Sequence, residues 1–346
     1  MKAVAQSRFG QLLRLQGDVT IDFLDSLALR NNPLGDPPRR PLAVYTPPGY
    51  DGQGSKRYPA LYCLHGYSGD AAALVSARPW ETNVVQWADR LISQRAMDPA
   101  LLIVVDGFTR LGGSQYMDSV HNGAYATYTT RDVVEYVDSS YRTIPHEGGR
   151  AVFGKSSGGY GSMHLVMMYP GVFGAFASHS GDTYFRTFVH AFADVQRTLE
   201  KYPGIEEFVH AFENKPKRSP AEFTTMEILA YTAAYSPAQA KAFQLDIPFD
   251  RRTGELREAV FARWLHWDPV EMILSKRAEL ERLRLRYLDC GRQDEYALDI
   301  GARIFAQRLR DCGLSVRHEE FDDDHRNVGY RYEVSLPALT EVLERE

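Results

Sequence analysis

Residues 150–165 read RAVFGKSSGGYGSMHL: a short apolar run, Gly154, two serines, two glycines and then a helical pattern. Gly-x-Ser-x-Gly between a strand and a helix presents a serine hydroxyl on a turn so tight that the positions two before and two after it must lack bulk. Around Ser156 those positions are Gly154 and Gly158. Around Ser157 the earlier one is Lys155, whose side chain would crowd the turn. Ser156 is therefore the nucleophile candidate. Ser157 offers its backbone N–H at the start of the helix, where free amides and the helix dipole stabilise an oxyanion.

A serine hydroxyl needs a base at neutral pH. On such a scaffold the acid and then the histidine follow the serine in the chain, each after a late strand. The segment RYLDCGRQDEY, 286–296, offers Asp289, Asp294 and Glu295. Asp289 sits at the strand end, and Asp294 lies in the loop beyond, with the reach to meet a histidine. Asp294 is the first choice, with Asp289 and Glu295 left open. The segment EEFDDDHRNVGY, 319–330, follows the last strand and supplies His325 as the base. Asp322, Asp323 and Asp324 beside it read as a solvated acidic turn, because no full ligand set accompanies them, and no metal is expected. LHGYSGD, 64–70, ends an earlier strand, and the loop there gives the second oxyanion donor, the N–H of Tyr67. His65 precedes the serine at a strand end and is expected to play a structural hydrogen-bonding role.

Elements must hold these residues in place. Eight apolar runs have strand length: DVTIDFLDS, RPLAVYTPP, YPALYCLHG, ALLIVVDG, RAVFG, AFASHSG, LRLRYLDCG and LSVRHEEF. Amphipathic segments lie between several of them, among them TNVVQWADRLISQR, YTTRDVVEYVDSSY and LDIGARIFAQRLRDCG, the last with Gly313 placed to end its helix. This alternation predicts an α/β fold, a mostly parallel sheet of about eight strands with helices on both faces. The rhythm breaks between the sixth and seventh runs, a stretch too long for a plain connection. It reads as a helical cap insertion over 182–282, with 1–181 and 283–346 as the catalytic domain. Phe185, Phe188, Val189 and Phe192 fall at helical spacing in its first helix, and Phe185 and Phe188 are expected to wall the substrate pocket. Charge over 182–286 is balanced, 16 Lys/Arg against 16 Asp/Glu, so composition indicates no strongly charged substrate.

Composition narrows the function classes. The net charge of −5 argues against a nucleic-acid partner. No apolar run approaches the ~18–20 residues that cross a bilayer, so no membrane association is expected. The N-terminal MKAVAQSRFGQLLRLQGD has no sustained apolar core, which argues against a secretory signal and for the cytoplasm. Cys63, Cys290 and Cys312 lack metal-type spacing and read as free thiols. A homodimer is supported only by the general frequency of homo-oligomers.

Several segments together resemble a known family: RRPLAVYTPPGY, YPALYCLHGYSGD, GSQYMDSVHNGAYATYTTRDVVEYVDSSYRT, the serine segment extended to HSG, LDCGRQDEY and DDDH. They are similar to the Putative esterase family of α/β hydrolases, with its S-formylglutathione hydrolases, enterochelin esterases, feruloyl esterases and antigen 85 mycolyltransferases. The resemblance spans about 18–181 and 283–340 and leaves the insertion out. It implies an α/β-hydrolase fold, a Ser156–His325–Asp294 triad, and an oxyanion hole from the backbone of Tyr67 and Ser157. The expected activity is cofactor-free hydrolysis of small or slender carboxylic esters through an acyl-enzyme. The alternatives are an acyltransferase with the same triad and a degenerate hydrolase serving as a binding module.

Overall fold

The computed structural model describes residues 14–78 and 80–345. Residues 1–13, read above for a secretory signal, lie outside the described residues. The eight apolar runs form one sheet: β1 (Asp18–Asp25), β2 (Arg39–Thr46), β3 (Ala60–Leu64), β4 (Leu101–Val105), β5 (Arg150–Lys155), β6 (Ala175–His179), β7 (Leu285–Gly291) and β8 (Arg317–Phe321). Their order across the sheet is β1-β2-β4-β3-β5-β6-β7-β8. The pairs β1/β2 and β2/β4 are antiparallel, and every later pair is parallel.

Side chains alternate across the pleat, and in this sheet both faces are buried. One face gathers Val44, Tyr62, Ile103, Val152 and Phe176, and onto it pack α3 (Ser157–Met168) and α8 (Leu298–Asp311). The other gathers Tyr45, Cys63, Val104, Phe153 and Ala177 beneath α1 (Val84–Ser93) and α9 (Tyr332–Val342). The segment before β5 turns π-helical at Tyr128–Val133 and continues as α2 (Val134–Ser140). Gly313, at φ +77°, follows the end of α8 in the left-handed conformation that the sequence assigned to it.

Between β6 and β7 the described chain is helical: α4 (Val189–Leu199), α5 (Ile205–Asn214), α6 (Pro220–Tyr235) and α7 (Glu258–Leu265), with a 3-10 turn at Phe185–Phe188 before them. These elements build a core of their own from Phe192, Leu199, Phe208, Leu229 and Trp264. Tyr160 of α3 and Met117 join that core to the body beneath. The insertion's far end differs from the 182–282 expectation: Val270, Met272, Ile273 and Leu280 pack into the core of the sheet. The separate core ends near residue 267, and the next turn of chain is already scaffold.

Candidate active site

Ser156 stands between β5 and α3 at φ 83° and ψ −116°, a left-handed conformation that an L-residue holds only under constraint. Its N–H donates to the carbonyl of His179 at 3.0 Å, and its carbonyl accepts from Tyr160 N–H at 2.8 Å. A Cβ on Gly154 would sit 2.5 Å from the Leu64 carbonyl oxygen, and one on Gly158 would sit 2.1 Å from the same atom. Side chains at either position would push the elbow off the neighbouring strand. The glycine spacing that singled out Ser156 thus has a steric cause in the fold.

His325, in the loop after β8, brings its Nε2 to 3.1 Å from Ser156 Oγ and its Nδ1 to 2.8 Å from Asp294 Oδ2. With Nδ1 protonated toward the carboxylate, Nε2 is left to accept the serine proton. The Asp294 side chain is fully buried, and its other oxygen accepts from the N–H of Tyr296 at 3.0 Å. Burial alone would raise Asp294, but the hydrogen bond and charge of His325, with the backbone N–H groups, outweigh it and hold the carboxyl below its usual range. The ring of Tyr296 packs edge-on to His325, with centroids 4.9 Å apart.

The two other acid candidates are engaged elsewhere. Glu295 accepts from His325 N–H at 2.9 Å and from Arg326. Asp289 bonds His179 Nδ1 at 2.7 Å, while His179 Nε2 meets Ser335 Oγ at 2.9 Å. This is a second serine–histidine–aspartate line, with all three residues at most 1% exposed and therefore closed to substrate. Arg331 and Tyr287 hold the other Asp289 oxygen, so the line fastens β6, β7 and α9 directly under the elbow. Sequence reading missed it, since nothing local marks Ser335 as a partner of His179.

Tyr67 and Ser157 lie beside Ser156. No acceptor among the described residues takes the N–H of either one. The Tyr67 side chain is anchored through its hydroxyl to Leu111 O at 2.9 Å. His65 does not touch Ser156. Its Nε2 accepts from Gly107 N–H and its Nδ1 donates to Gly66 O, both at 2.8 Å, which ties the loops after β3 and β4 together. Asp322 and Asp323 take Gln293 and Tyr330 as partners.

A cavity of about 790 Å³ opens over Ser156 and His325. Phe188 lines it as expected, but Phe185 does not. Phe185 is fully buried, stacked among Tyr160, Phe188 and Tyr235 in the insertion's core. Helical periodicity marks a side chain as buried without saying which of two buried surroundings it enters. The larger wall comes from α6, where Phe223, Glu227 and Tyr231 recur every fourth residue on the side facing the cavity. The same helix buries residues on its other sides as well, so its sequence does not say which side faces the cavity.

Among the described residues, no helix is long and apolar enough to cross a membrane. The chain is similar in structure to a ferulic acid esterase, with 19% identity, TM-score 0.59, and 95% of this chain and 100% of that one covered. It is similar to an S-formylglutathione hydrolase from Agrobacterium tumefaciens at 15% identity and TM-score 0.60, over 99% and 100% of the two chains. A fluorophosphonate-binding serine hydrolase F of Staphylococcus aureus matches at 15% identity and TM-score 0.58, over 95% and 99%. These likenesses carry the α/β-hydrolase fold. The family model described as Putative esterase matches residues 37–334, most of the chain. The chain belongs to the Putative esterase family and is a carboxylic ester hydrolase.

Proposed function

We propose that the chain is a serine esterase working through an acyl-enzyme. The observation that carries this reading is the continuous line Ser156–His325–Asp294, open at its serine end to the cavity. Ser156 Oγ attacks the acyl carbon as its proton passes to His325 Nε2. The carbonyl oxygen gains charge and is met by the N–H groups of Tyr67 and Ser157. Asp294 holds the imidazole in the required tautomer and stabilises the imidazolium. His325 then protonates the leaving alcohol, and water enters by the reverse route to free the acid.

The substrate is a small molecule. A cavity of about 790 Å³ lies within the range that takes drug-sized ligands, roughly 300–1,000 Å³, so the restriction lies more in shape than in bulk. The aromatic side chains of Phe188, Phe223 and Tyr231 favour slender esters. The test is hydrolysis of p-nitrophenyl butyrate. Ser156→Ala is expected to lose roughly 10⁴–10⁶-fold in kcat. Ser157→Ala is expected to keep most of it, since only its backbone is used. Full activity in Ser156→Ala would sink the proposal.

A further inference from the structure

Two carboxylates face the same cavity as the nucleophile. Asp182 follows β6, and Glu227 sits at the middle of the α6 face, between Phe223 and Tyr231. Tyr231 is the one donor they share, its hydroxyl 3.2 Å from Asp182 Oδ2 and 3.2 Å from Glu227 Oε1. A hydroxyl has a single proton and cannot serve both oxygens at once. Gln115 adds one bond to Asp182, again on Oδ2, at 3.0 Å. Asp182 is only 2% exposed, lines the cavity, and takes no bond on Oδ1 from the described residues.

Among the described residues, no Lys, Arg or His forms an ion pair with either carboxylate. The basic groups of the lining have other partners. Arg326 bonds Glu295, and Arg218 is spent on the carbonyls of Phe212 and Glu213. Lys155 faces the charges of Asp294 and Glu295. His190 on α4 and His325, which bonds Asp294 and Ser156, are the remaining basic groups of the lining. Buried carboxylates short of donors favour a positive charge or hold a proton. Burial first, and then the Asp182 charge, push Glu227 up to about 8, with the Tyr231 bond opposing. Burial raises Asp182 to about 6 against the Gln115 bond and the His325 charge. Aromatic rings complete the surroundings: Tyr67 stands edge-on to Phe223 at 5.4 Å and to Tyr231 at 6.4 Å. Ring faces attract organic cations more than they attract hydrated inorganic ones.

We propose that the pocket selects esters carrying an organic ammonium group on the acyl or alcohol part, held by Glu227 and Asp182 against Tyr67, Phe223 and Tyr231. The selection rests on the serine-esterase reading and names the substrate class for it. The group recognised and the ester share one cavity, so both belong to one molecule. The balanced charge of the insertion gave no sign of this, because the selection comes from two carboxylates and not from a net excess.

Matched ester pairs test it. One pair is choline butyrate and the neutral ester in which carbon replaces the quaternary nitrogen. The other is the p-nitrophenyl ester of trimethylammoniobutanoic acid and its carbon isostere. In at least one pair the cationic member is expected to be favoured about 10-fold or more in kcat/KM. In Glu227→Gln the ratio of cationic to neutral ester within each pair should fall about 10-fold. The ratio within a pair cancels the protonation of His325, so it isolates the carboxylates. It should rise between about pH 7 and 9 in wild type, as Glu227 gives up its proton, and stay flat over that range in Glu227→Gln, where Asp182, at about 6, is already ionised. Neutral esters hydrolysed with ratios near one in both pairs would overturn the ammonium site and leave the esterase reading standing. Equal loss on neutral and cationic esters in Glu227→Gln would overturn it too. Failure to hydrolyse either pair and p-nitrophenyl butyrate would overturn both.

Discussion

The choice between Asp294 and Asp289, five positions apart in one segment, turns on their partners. Residue type could not decide it, since both are buried aspartates, Asp289 near the end of β7 and Asp294 in the loop just beyond. The structure gives Asp294 to His325 and Asp289 to His179. Asp294→Asn should therefore cost roughly 10²–10⁴-fold in kcat through the wrong tautomer and lost charge, measured on a p-nitrophenyl ester. Asp289→Asn should leave the pH dependence of kcat/KM in place and instead lower the unfolding temperature. Burial works against the Asp289 charge, but the charge and bond of His179, with Arg331, win and depress its pKa. A depressed carboxyl stabilises the fold above its unfolded value, near 3.8, and loses that contribution as pH falls further. The stability gap between wild type and Asp289→Asn should thus be open at neutral pH and close below about pH 4. The serine choice, in contrast, was legible in the sequence. It depended on covalent neighbours, Gly154 and Gly158, and not on a distant contact.

Strands are the elements the sequence announces most clearly here. The inner strands β3 to β7 are short, mostly apolar runs, and a parallel sheet buried on both faces needs such runs. The helices of the insertion announce less. α6 is apolar around most of its circumference, so no polar stripe tells which side meets the cavity and which the core. Phe185 and Phe188 illustrate the cost, three residues apart on one turn and yet one in the core and one on the pocket wall. Phe188→Ala and Phe223→Ala should raise kcat/KM for longer acyl chains relative to acetate. Phe185→Ala should leave that profile alone and lower stability by about 3–5 kcal/mol, as for a large aromatic removed from a core. An unaltered acyl-length profile in both Phe188→Ala and Phe223→Ala would remove the wall assigned to this face. At the elbow, Gly158→Ala sets a methyl 2.1 Å from the Leu64 carbonyl, a backbone atom that cannot turn aside. Loss of activity together with a lower unfolding temperature is expected, the strain being of order 1–3 kcal/mol or more.

At the scale of the whole molecule, a sheet positions the Ser156–His325–Asp294 line while helices between β6 and β7 roof it. The order serine, acid, histidine along the chain made the sheet's contribution readable. The roof was not readable, because its core forms between segments far apart in sequence, such as Phe192 with Phe249 and Phe261. Acids desolvated in several parts of the molecule leave a mark on global stability. Burial raises Asp36, Asp182 and Asp268 to about 6 and Glu227 to about 8. A carboxyl raised in the folded state binds its proton more tightly there, so its stabilising contribution is full below the unfolded value and fades as pH climbs through the folded one. Thermal unfolding followed from pH 5 to 9 should show a decline that is shallower in Glu227→Gln than in wild type. Identical slopes would mean that Glu227 is already ionised and solvated in the folded chain.

The central claim is that Ser156, and not its neighbour, is a nucleophile activated by His325. Reaction with a fluorophosphonate, followed by peptide mass spectrometry, reads this directly. One adduct is expected, on Ser156, abolished in Ser156→Ala, slowed by orders of magnitude in His325→Ala, and retained in Ser157→Ala. An adduct on Ser157, or labelling of Ser156 at an undiminished rate without His325, would contradict the account.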